Sequence, residues 1–376
     1  MNLEQKFSDW QINNPYIIFG NYNLLEEYLP NLNIKYIIDN NPEKWGMNEK
    51  LGLEIKSPDA LRENKYQVII ANQWASSIQS IAVQLRKMGL KENSEFTTYK
   101  KLLSLWAWKY ENKLLLPYTE YILTTKCSLK CKNCILFIPY YVKTQHVTLK
   151  EFKEDLDIYF KHIDRVLTFR LLGGEPFLHP NLEECLRYIG ERYRDKINHV
   201  ELVSNGMICP KNEQIFHLCK KYKIKIHISN YTEVVNYKNN LNKFIEKLEQ
   251  YDIEYENALP DKWSWKKVQS PLIENNLNER DLKSLFINCQ NHCRALRDKK
   301  LYYCAMQSSA TNANLFIDDN SDYIDLQQRK NIEKFIQFEL GDFEKGYISF
   351  CKRCLGIGST NSHYVIPGEQ IWNSDF

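Results

Sequence analysis

The chain has little glycine or proline and no long apolar run. Its 376 residues include 13 glycines and 12 prolines, about 7% together against roughly 12% in average proteins, which excludes collagen-like and low-complexity chains. The best apolar stretch, around residues 114–116, is soon broken by charge, whereas a spanning helix needs about 18 apolar residues. We therefore expect no membrane insertion.

An excess of one charge is also missing. The chain has 50 Lys and Arg against 47 Asp and Glu, a net charge of +3, scattered rather than gathered into a basic stripe. Nucleic acid is therefore not an expected partner. The first ten residues carry Glu4 and Asp9 and lack the apolar core of a secretory signal, so a cytoplasmic location is expected.

The first hundred residues alternate strand and helix signals. Apolar runs at residues 16–19, 35–38 and 68–71 are separated by helical spacing, which predicts a Rossmann-like parallel-sheet domain over residues 1–110. Gly20 and Asp39 are spaced as in a dinucleotide fold, but asparagine and tyrosine replace the further glycines. An accessory domain without nucleotide is the favoured interpretation.

From about residue 118 the strand and helix pattern restarts. Strand candidates lie at residues 121–124, 166–172, 200–204 and 224–229, with helical patterns such as 149–160 and 182–193 between them. The pattern predicts a second α/β unit with a parallel sheet, whose ligands lie at the carboxyl ends of the strands. Polar motifs follow each of the four strands, so we expect them to share one edge.

Eleven cysteines occur in the chain, none of them before Cys127. In a reducing compartment, metal or catalytic thiolates are a better explanation than disulfides. Cys127, Cys131 and Cys134 form a C-x3-C-x2-C loop. Three thiolates leave one iron of a four-iron cluster open to a small molecule, whereas a structural zinc site takes four ligands.

With Gly173-Gly174-Glu175-Pro176 after the next strand, this loop resembles the radical S-adenosylmethionine (SAM) enzymes over about residues 118–257. The resemblance implies a partial (β/α)6 barrel over residues 115–260 and a [4Fe-4S] cluster on the three cysteines. It also implies that SAM chelates the open iron and is cleaved reductively to a 5'-deoxyadenosyl radical, which takes hydrogen from the substrate.

The resemblance also implies a set of SAM contacts. They are Gly173, Gly174, Glu175, Pro176, Ser204, Asn205 and Ser229. Glu175 and the glycine backbone would hold the methionine amino group, and Asn133 stands where the family usually has an aromatic residue near adenine. Alternatives stay open, since the glycines could form a plain tight turn, Glu175 could start a helix and Ser229 could simply end a strand.

The sequence assigns no catalytic residue. Cys209, close after Asn205, is a candidate because a thiol near the site could donate hydrogen to a substrate radical. Cys185 and Cys219 lie in helical patterns, which indicates buried small hydrophobes, and His179 is expected to be structural.

A second cysteine set follows in residues 261–376. Its order resembles the twitch domain, a shortened SPASM domain, which implies an auxiliary [4Fe-4S] cluster with four closed thiolates, zinc being the alternative. The ligands would be Cys289, Cys304, Cys351 and Cys354, with Cys293 as a substitute for Cys289. Lys299 stands where the family pattern has glycine.

The sequence thus predicts a radical SAM oxidoreductase or isomerase. By fold-level analogy the expected substrate is a sugar or polyol, free or carrier-linked, that is oxidised, epimerised or dehydrated. A flavodoxin or ferredoxin would supply electrons. The alternatives are modification of a ribosomally made peptide and a non-catalytic iron-sulfur scaffold.

Overall fold

The chain divides into two compact units, residues 1–112 and 113–376. The computed structural model describes residues 3, 7–26, 32–63, 65–72, 75–260, 265–268, 272–289, 293–329, 331–358 and 361–371.

The first unit is an α/β domain. Its strands and helices are β1 (Tyr16–Gly20), α1 (Asn23–Glu26), β2 (Ile34–Ile38), β3 (Gly46–Asn48), β4 (Leu53–Lys56), β5 (Gln67–Ala71), α2 (Ala75–Lys87), β6 (Phe96–Thr98) and α3 (Tyr99–Glu111). The sheet order is β3-β4-β2-β1-β5-β6. β1 pairs in parallel with both β2 and β5, and only β3 in this sheet is antiparallel to its neighbour. The expectation of a parallel α/β sheet is therefore confirmed.

Gly20 is explained by its neighbouring strand. Its φ is +112°, and a Cβ added there would lie 2.5 Å from the carbonyl oxygen of Ala71 on β5. Glycine is the residue that tolerates both the left-handed conformation and this close approach. Packing within the sheet accounts for Gly20 without any bound nucleotide.

The second unit holds the predicted barrel strands. Its strands are β7 (Leu115–Thr124), β8 (Arg165–Gly173), β9 (Ile197–Ser204), β10 (Ile224–Ser229), β11 (Tyr255–Ala258), β12 (Trp265–Lys266), β13 (Arg294–Arg297), β14 (Lys300–Tyr302), β15 (Tyr323–Asp325) and β16 (Tyr364–Val365). Its helices are α4 (Leu149–His162), α5 (Leu182–Arg192), α6 (Gln214–Tyr222), α7 (Lys238–Gln250), α8 (Glu279–Ile287), α9 (Ala305–Asn312) and α10 (Ile332–Glu339).

An eight-stranded sheet organises this unit, in the order β11-β10-β9-β8-β7-β13-β14-β15. The strands from β7 to β11 pair in parallel, and β13 pairs in parallel with β7. Six neighbouring parallel strands result, which agrees with the expected partial barrel. The sixth of them comes from beyond residue 260, while the three-part division of the chain remains a prediction.

The two faces of β7 have different partners. On one face, the hydroxyl of Tyr121 donates to Asp155 of α4 at 3.0 Å. Side chains alternate along a strand, so Glu120 and Ile122 lie on the opposite face. There Ile122 packs with Leu136 from the loop that follows β7. This loop, which carries the first cysteines, therefore covers the inner face at the carboxyl end of the sheet.

α4 starts where its sequence provides a capping box. Thr148 accepts from the backbone N–H of Glu151, and the Glu151 carboxylate accepts from the Thr148 N–H at 2.7 Å. Such reciprocal bonds satisfy two backbone donors that the first helical turn leaves unpaired. They fix the helix that supports the outer face of β7.

Candidate active site

The first three cysteines lie on one loop directly after β7. Cys127 and Cys134 are half-buried and Cys131 is buried. Burial raises the pKa of Cys127 and of Cys131 to about 12 and also raises that of Cys134. The free side chains are therefore thiols at neutral pH, and metal binding has to displace their protons.

Nitrogen donors surround the three sulfurs. The side-chain amide of Asn205 donates to Cys127 Sγ at 3.8 Å, and that of Gln370 donates to Cys131 Sγ at 3.5 Å. Backbone N–H groups of residues 136–138 direct hydrogen bonds to Cys134, which lower its pKa against the effect of burial. Each sulfur thus has a donor that would stabilise it as a thiolate.

Gly173 and Gly174 bring the end of β8 against the cysteine loop. The N–H of Gly174 donates to the Thr124 carbonyl at 2.7 Å, and that of Glu175 donates to the Lys126 carbonyl at 2.8 Å. A Cβ on either glycine would lie 2.3 Å from one of these carbonyl oxygens. The two glycines are needed because no side chain fits between the turn and the loop.

Glu175 is fully buried within this junction. Its carboxylate accepts from the Ser204 hydroxyl at 3.0 and 3.1 Å, from the Asn205 backbone N–H at 2.9 Å and from the Phe177 N–H at 3.2 Å. Burial is the main influence on its pKa, which rises to about 7 despite these donors. Pro176 begins the short 3-10 helix that follows, with Glu175 as its cap.

Ser204, Asn205 and Ser229 lie at the carboxyl ends of β9 and β10. The side-chain amide of Asn205 donates to the hydroxyl of Ser128 in the cysteine loop at 3.0 Å. The carboxyl end of β9 therefore also contacts this loop. Ser229 hydrogen-bonds to Tyr231 and lowers its pKa, which burial raises overall. The structure thus brings Glu175, Ser204 and Asn205 together beside Cys127, while Ser229 meets the site through Tyr231.

These residues fit the implied cofactor. Four-iron clusters are held by cysteine thiolates, each on its own iron, and hydrogen bonds to the sulfurs tune them. The loop offers three thiols of this kind, and each of them already has an N–H donor. Among the residues that the structure describes, no three His, Cys, Asp or Glu side chains converge closely enough to hold a single metal ion.

Sequence reasoning missed a charged row on the inner face of the sheet. Glu120, Arg170 and Glu201 stand opposite one another on β7, β8 and β9. The Tyr118 hydroxyl donates to Glu120 at 2.8 Å, and Arg170 donates to Glu201 at 2.8 Å. The Arg170 and Glu201 side chains keep 25% and 16% of their surface accessible.

This row lies next to the cysteine loop. Ile122 and Leu172, two residues further along their strands, pack against Leu136 and Cys134 of that loop. Alternation along each strand could have revealed that the charges share a face. Their mutual pairing depends on the register between strands, which the sequence does not give.

The second cysteine set gathers around one mostly apolar cavity. The thiols that line it are Cys289, Cys304, Cys351 and Cys354. Burial raises the pKa of Cys304 to about 12, and its charge interaction with Cys289 acts in the same direction. Cys304 caps α9, whose Met306 and Gln307 N–H groups oppose this rise. A helix N-terminus of this kind favours a thiolate.

Cys293 lies in different surroundings. Its thiol hydrogen-bonds to Glu120 of the charged row, which lowers the pKa of that carboxyl against the larger raising effect of burial. It packs against Ala295, Tyr302 and Ala305, outside the cavity that the other four cysteines line. Of the two alternatives in the sequence, the structure places Cys289 with the second set.

The remaining candidates have local roles. His179 is buried, its Nε2 hydrogen-bonds to the Val147 carbonyl at 2.8 Å, and its Nδ1 accepts from the Asn181 N–H at 3.2 Å. Both ring nitrogens are therefore used within the fold. Cys185 and Cys219 are buried in α5 and α6, as their helical patterns predicted.

Cys209 is half-buried in the segment after β9. Its thiol donates to the Pro210 carbonyl at 3.8 Å. Lys247 of α7 is near enough to lower its pKa slightly, while burial raises it overall. A hydrogen-donor role for Cys209 stays a prediction. No helix among the described residues is long and apolar enough to cross a membrane.

Comparison with known proteins identifies this region. Residues 121–247 match the radical SAM superfamily. Over 127 residues the chain is 33% identical to the antilisterial bacteriocin subtilosin biosynthesis protein AlbA of Bacillus subtilis (strain 168). The matched segment is 33% of this chain and 26% of AlbA, so it spans about a quarter of that relative's length.

Solved structures also resemble the chain. BtrN in complex with AdoMet and 2-DOIA gives a TM-score of 0.41 at 14% identity, covering 64% of this chain and 94% of BtrN. The anSMEcpe structure with bound AdoMet gives 0.37 at 14% identity, with coverages of 67% and 90%. SuiB of Streptococcus suis bound to S-adenosylmethionine gives 0.30 at 13% identity, with coverages of 69% and 76%.

Both specific motifs of the radical SAM family lie within the matched residues and meet in space. Residues 121–247 form a radical SAM domain.

Proposed function

We propose that this protein cleaves SAM reductively and uses the resulting 5'-deoxyadenosyl radical to abstract hydrogen from a polar substrate. The observation that carries the proposal is the junction of the cysteine loop with the glycine turn. There the N–H groups of Gly174 and Glu175 donate to the Thr124 and Lys126 carbonyls. This junction holds three thiols and a buried carboxylate at one edge of the sheet.

Each group of residues at this junction would have its own role. Cys127, Cys131 and Cys134 would hold the cluster, which supplies, when bound, the electron that breaks the sulfonium C–S bond of SAM. Glu175 and the backbone of Gly173 and Gly174 would hold the methionine amino group. Glu175 keeps Ser204 and Asn205 in place through its hydrogen bonds.

A second [4Fe-4S] cluster is proposed at Cys289, Cys304, Cys351 and Cys354. Its role would be to accept the electron that remains on the substrate after hydrogen abstraction, or to position the substrate. The position of Cys304 at the N-terminus of α9 supports an anionic cluster there. Zinc is the alternative occupant, because four thiolates also form a closed zinc site, but it would require these thiols to lie closer together than the described residues place them.

A sugar or polyol, free or carrier-linked, is the proposed substrate. The charged row of Glu120, Arg170 and Glu201 supports a polar substrate, since these groups lie next to the cysteine loop and two of them are partly accessible. Hydroxyl groups can donate to the carboxylates and accept from the guanidinium. Flavodoxin or ferredoxin is the proposed reductant.

A ribosomally made peptide is the second candidate. It is favoured by the 33% identity to AlbA, a protein of bacteriocin biosynthesis, over the radical SAM domain. That segment is only 26% of AlbA, so the likeness does not extend to the whole relative.

The proposal is tested by incubating anaerobically reconstituted, reduced protein with SAM and measuring 5'-deoxyadenosine. We expect product from the wild type and none after Cys127, Cys131 and Cys134 are replaced by Ala. Cys185→Ala provides a buried cysteine control and should retain product formation. Intact SAM with the wild type would favour the scaffold hypothesis.

The substrate class is tested by deuterium transfer. Deuterated polyols and sugar nucleotides should transfer deuterium to 5'-deoxyadenosine if the first candidate is correct. Transfer from a deuterated peptide encoded beside this protein, with none from the sugars, would instead establish the second candidate.

A further inference from the structure

A segment near the carboxyl end of the chain lies on the cysteine loop. We call residues 367–371 the clamp segment. The N–H of Lys132 donates to the Glu369 carbonyl at 2.7 Å, and that of Ile371 donates to the Lys130 carbonyl at 2.8 Å. Cys131 and Gln370 form an antiparallel bridge. The clamp segment therefore pairs with the loop on both sides of Cys131.

Gln370 uses every polar atom of its side chain in this contact. Its Oε1 accepts from the Lys130 N–H at 2.7 Å. Its Nε2 donates to the Gly368 carbonyl at 2.6 Å and to Cys131 Sγ at 3.5 Å. The Lys130 donor requires an oxygen at its end of the amide, so the NH₂ group must face the sulfur.

The clamp segment is itself held firmly. A Cβ on Gly368, whose φ is +77°, would lie 2.8 Å from the Tyr231 ring, so only glycine allows this approach. Tyr231 also makes an edge-on contact with Trp265, with 5.5 Å between ring centroids. Trp265 belongs to β12, which pairs with β16 just before the clamp segment.

We propose that Gln370 is a positioning residue for the cluster at the Cys127 loop. It would fix the loop through Lys130 and raise the reduction potential of the cluster through its hydrogen bond to Cys131. The inference rests on the proposed function, because it requires a cluster on this loop. It adds a residue that lies 239 positions away from Cys131, outside both radical SAM motifs.

The physical reason is the charge on sulfur. Reduction adds an electron to the cluster and increases the negative charge that its thiolates share. An N–H donor stabilises the more negative state more strongly, so hydrogen bonds to the sulfurs shift cluster potentials upward. Asn205 provides the corresponding donor at Cys127.

Two variants of Gln370 separate its contact with Lys130 from its hydrogen bond to Cys131. Gln370→Glu keeps an oxygen for the Lys130 N–H but removes the donor to Cys131. Gln370→Leu removes both. Glu369→Gln is the matched control, because it keeps the backbone carbonyl on the loop and removes only an exposed ion pair with Lys132 at 3.9 Å, which solvent screens.

The measurement is a redox titration by electron paramagnetic resonance on the full reconstituted chain. The signal of the loop cluster is identified by its loss in Cys134→Ala. We expect a more negative midpoint potential in both Gln370 variants and a wild-type value in Glu369→Gln. We also expect a chelator to remove loop iron about fivefold faster from Gln370→Leu, the factor that one typical hydrogen bond represents.

Hydrogen exchange of the metal-free chain gives a second readout. The peptide that contains Lys130 should exchange faster in Gln370→Leu but not in Gln370→Glu. Wild-type potentials in both Gln370 variants, or an equal shift in Glu369→Gln, would overturn the inference alone. If the wild type showed no loop signal, the proposed function would fail, and this inference with it.

Discussion

At the residue scale, Gly174 shows what a motif discloses and what it leaves open. The pattern Gly-Gly-Glu-Pro predicts a close backbone approach, and the structure contains one. The partner is the Lys126 carbonyl, 2.3 Å from where a Cβ would be. The two glycines are visible in the sequence, so a close approach can be predicted from them. The group that approaches cannot, because it depends on which loops the parallel strands bring together.

Cys289 and Cys293 are alternative ligands of the proposed second cluster, and replacing each in turn tests which one binds it. Cys289→Ser should lower the iron content of the reconstituted protein by the share of the second cluster, because Cys289 lines the cavity with the other three thiols. Cys293→Ser should retain that iron, because Cys293 contacts Glu120 instead. Iron and sulfide analysis of the two variants checks this.

The pair of variants also serves as its own control. Both remove one half-buried thiol from the same region of the chain. Iron loss in Cys293→Ser, with full iron in Cys289→Ser, would show that the ligand assignment is reversed.

At the element scale, the β13–β14 hairpin explains how the chain manages without the glycine of the twitch pattern. Asp298 and Lys299 both have positive φ, +49° and +60°. Asp155 of α4 accepts from the N–H of each, at 3.1 and 2.8 Å. A turn that normally favours glycine is thus held by a carboxylate from another element.

Asp155 makes the stability of this arrangement depend on pH. Burial raises its pKa from 3.8 to about 6, so the folded chain holds the proton more tightly than the unfolded chain. This contribution is fully present below about pH 4 and is lost as the pH rises through about 6. The advantage of wild type over Asp155→Asn in free energy of unfolding should shrink by roughly 3 kcal/mol across that window.

Urea unfolding of the metal-free chain at a series of pH values measures this change. Lys299→Gly alters the same turn but keeps Asp155. Above about pH 5, where the Lys299 partner Glu154 is ionised with or without that lysine, its pH profile should run parallel to that of the wild type. Parallel profiles for wild type and Asp155→Asn would contradict the assignment of the titration to Asp155.

At the scale of the whole molecule, the succession of strands along the chain, the parallel sheet and the shared edge of the motifs could be predicted, because the hydrophobic runs and the polar residues that follow them are local features of the sequence. The placement of β13 as the sixth parallel strand could not, since it depends on pairing between residues 294–296 and 119–121. Gln370 and the inner charged row were missed for the same reason. Their partners are distant in sequence, and the residues themselves match no motif.

The division into two compact units yields another prediction. Residues 113–376 contain both cysteine sets and the whole eight-stranded sheet. A chain that starts at Lys113 should therefore bind as much iron per molecule as the full chain after reconstitution. A fragment that folds, by circular dichroism, but binds no iron would contradict it.

The central claim is that the Cys127 loop holds a four-iron cluster with one iron open to SAM. Its most direct test is the electron paramagnetic resonance spectrum of the reduced Cys351→Ala/Cys354→Ala variant, recorded with and without SAM. This variant removes two ligands of the second set and leaves the loop intact. We predict a reduced four-iron signal whose g-values change when SAM is added. A colourless, zinc-loaded protein, or a cluster signal that SAM leaves unchanged, would contradict the account.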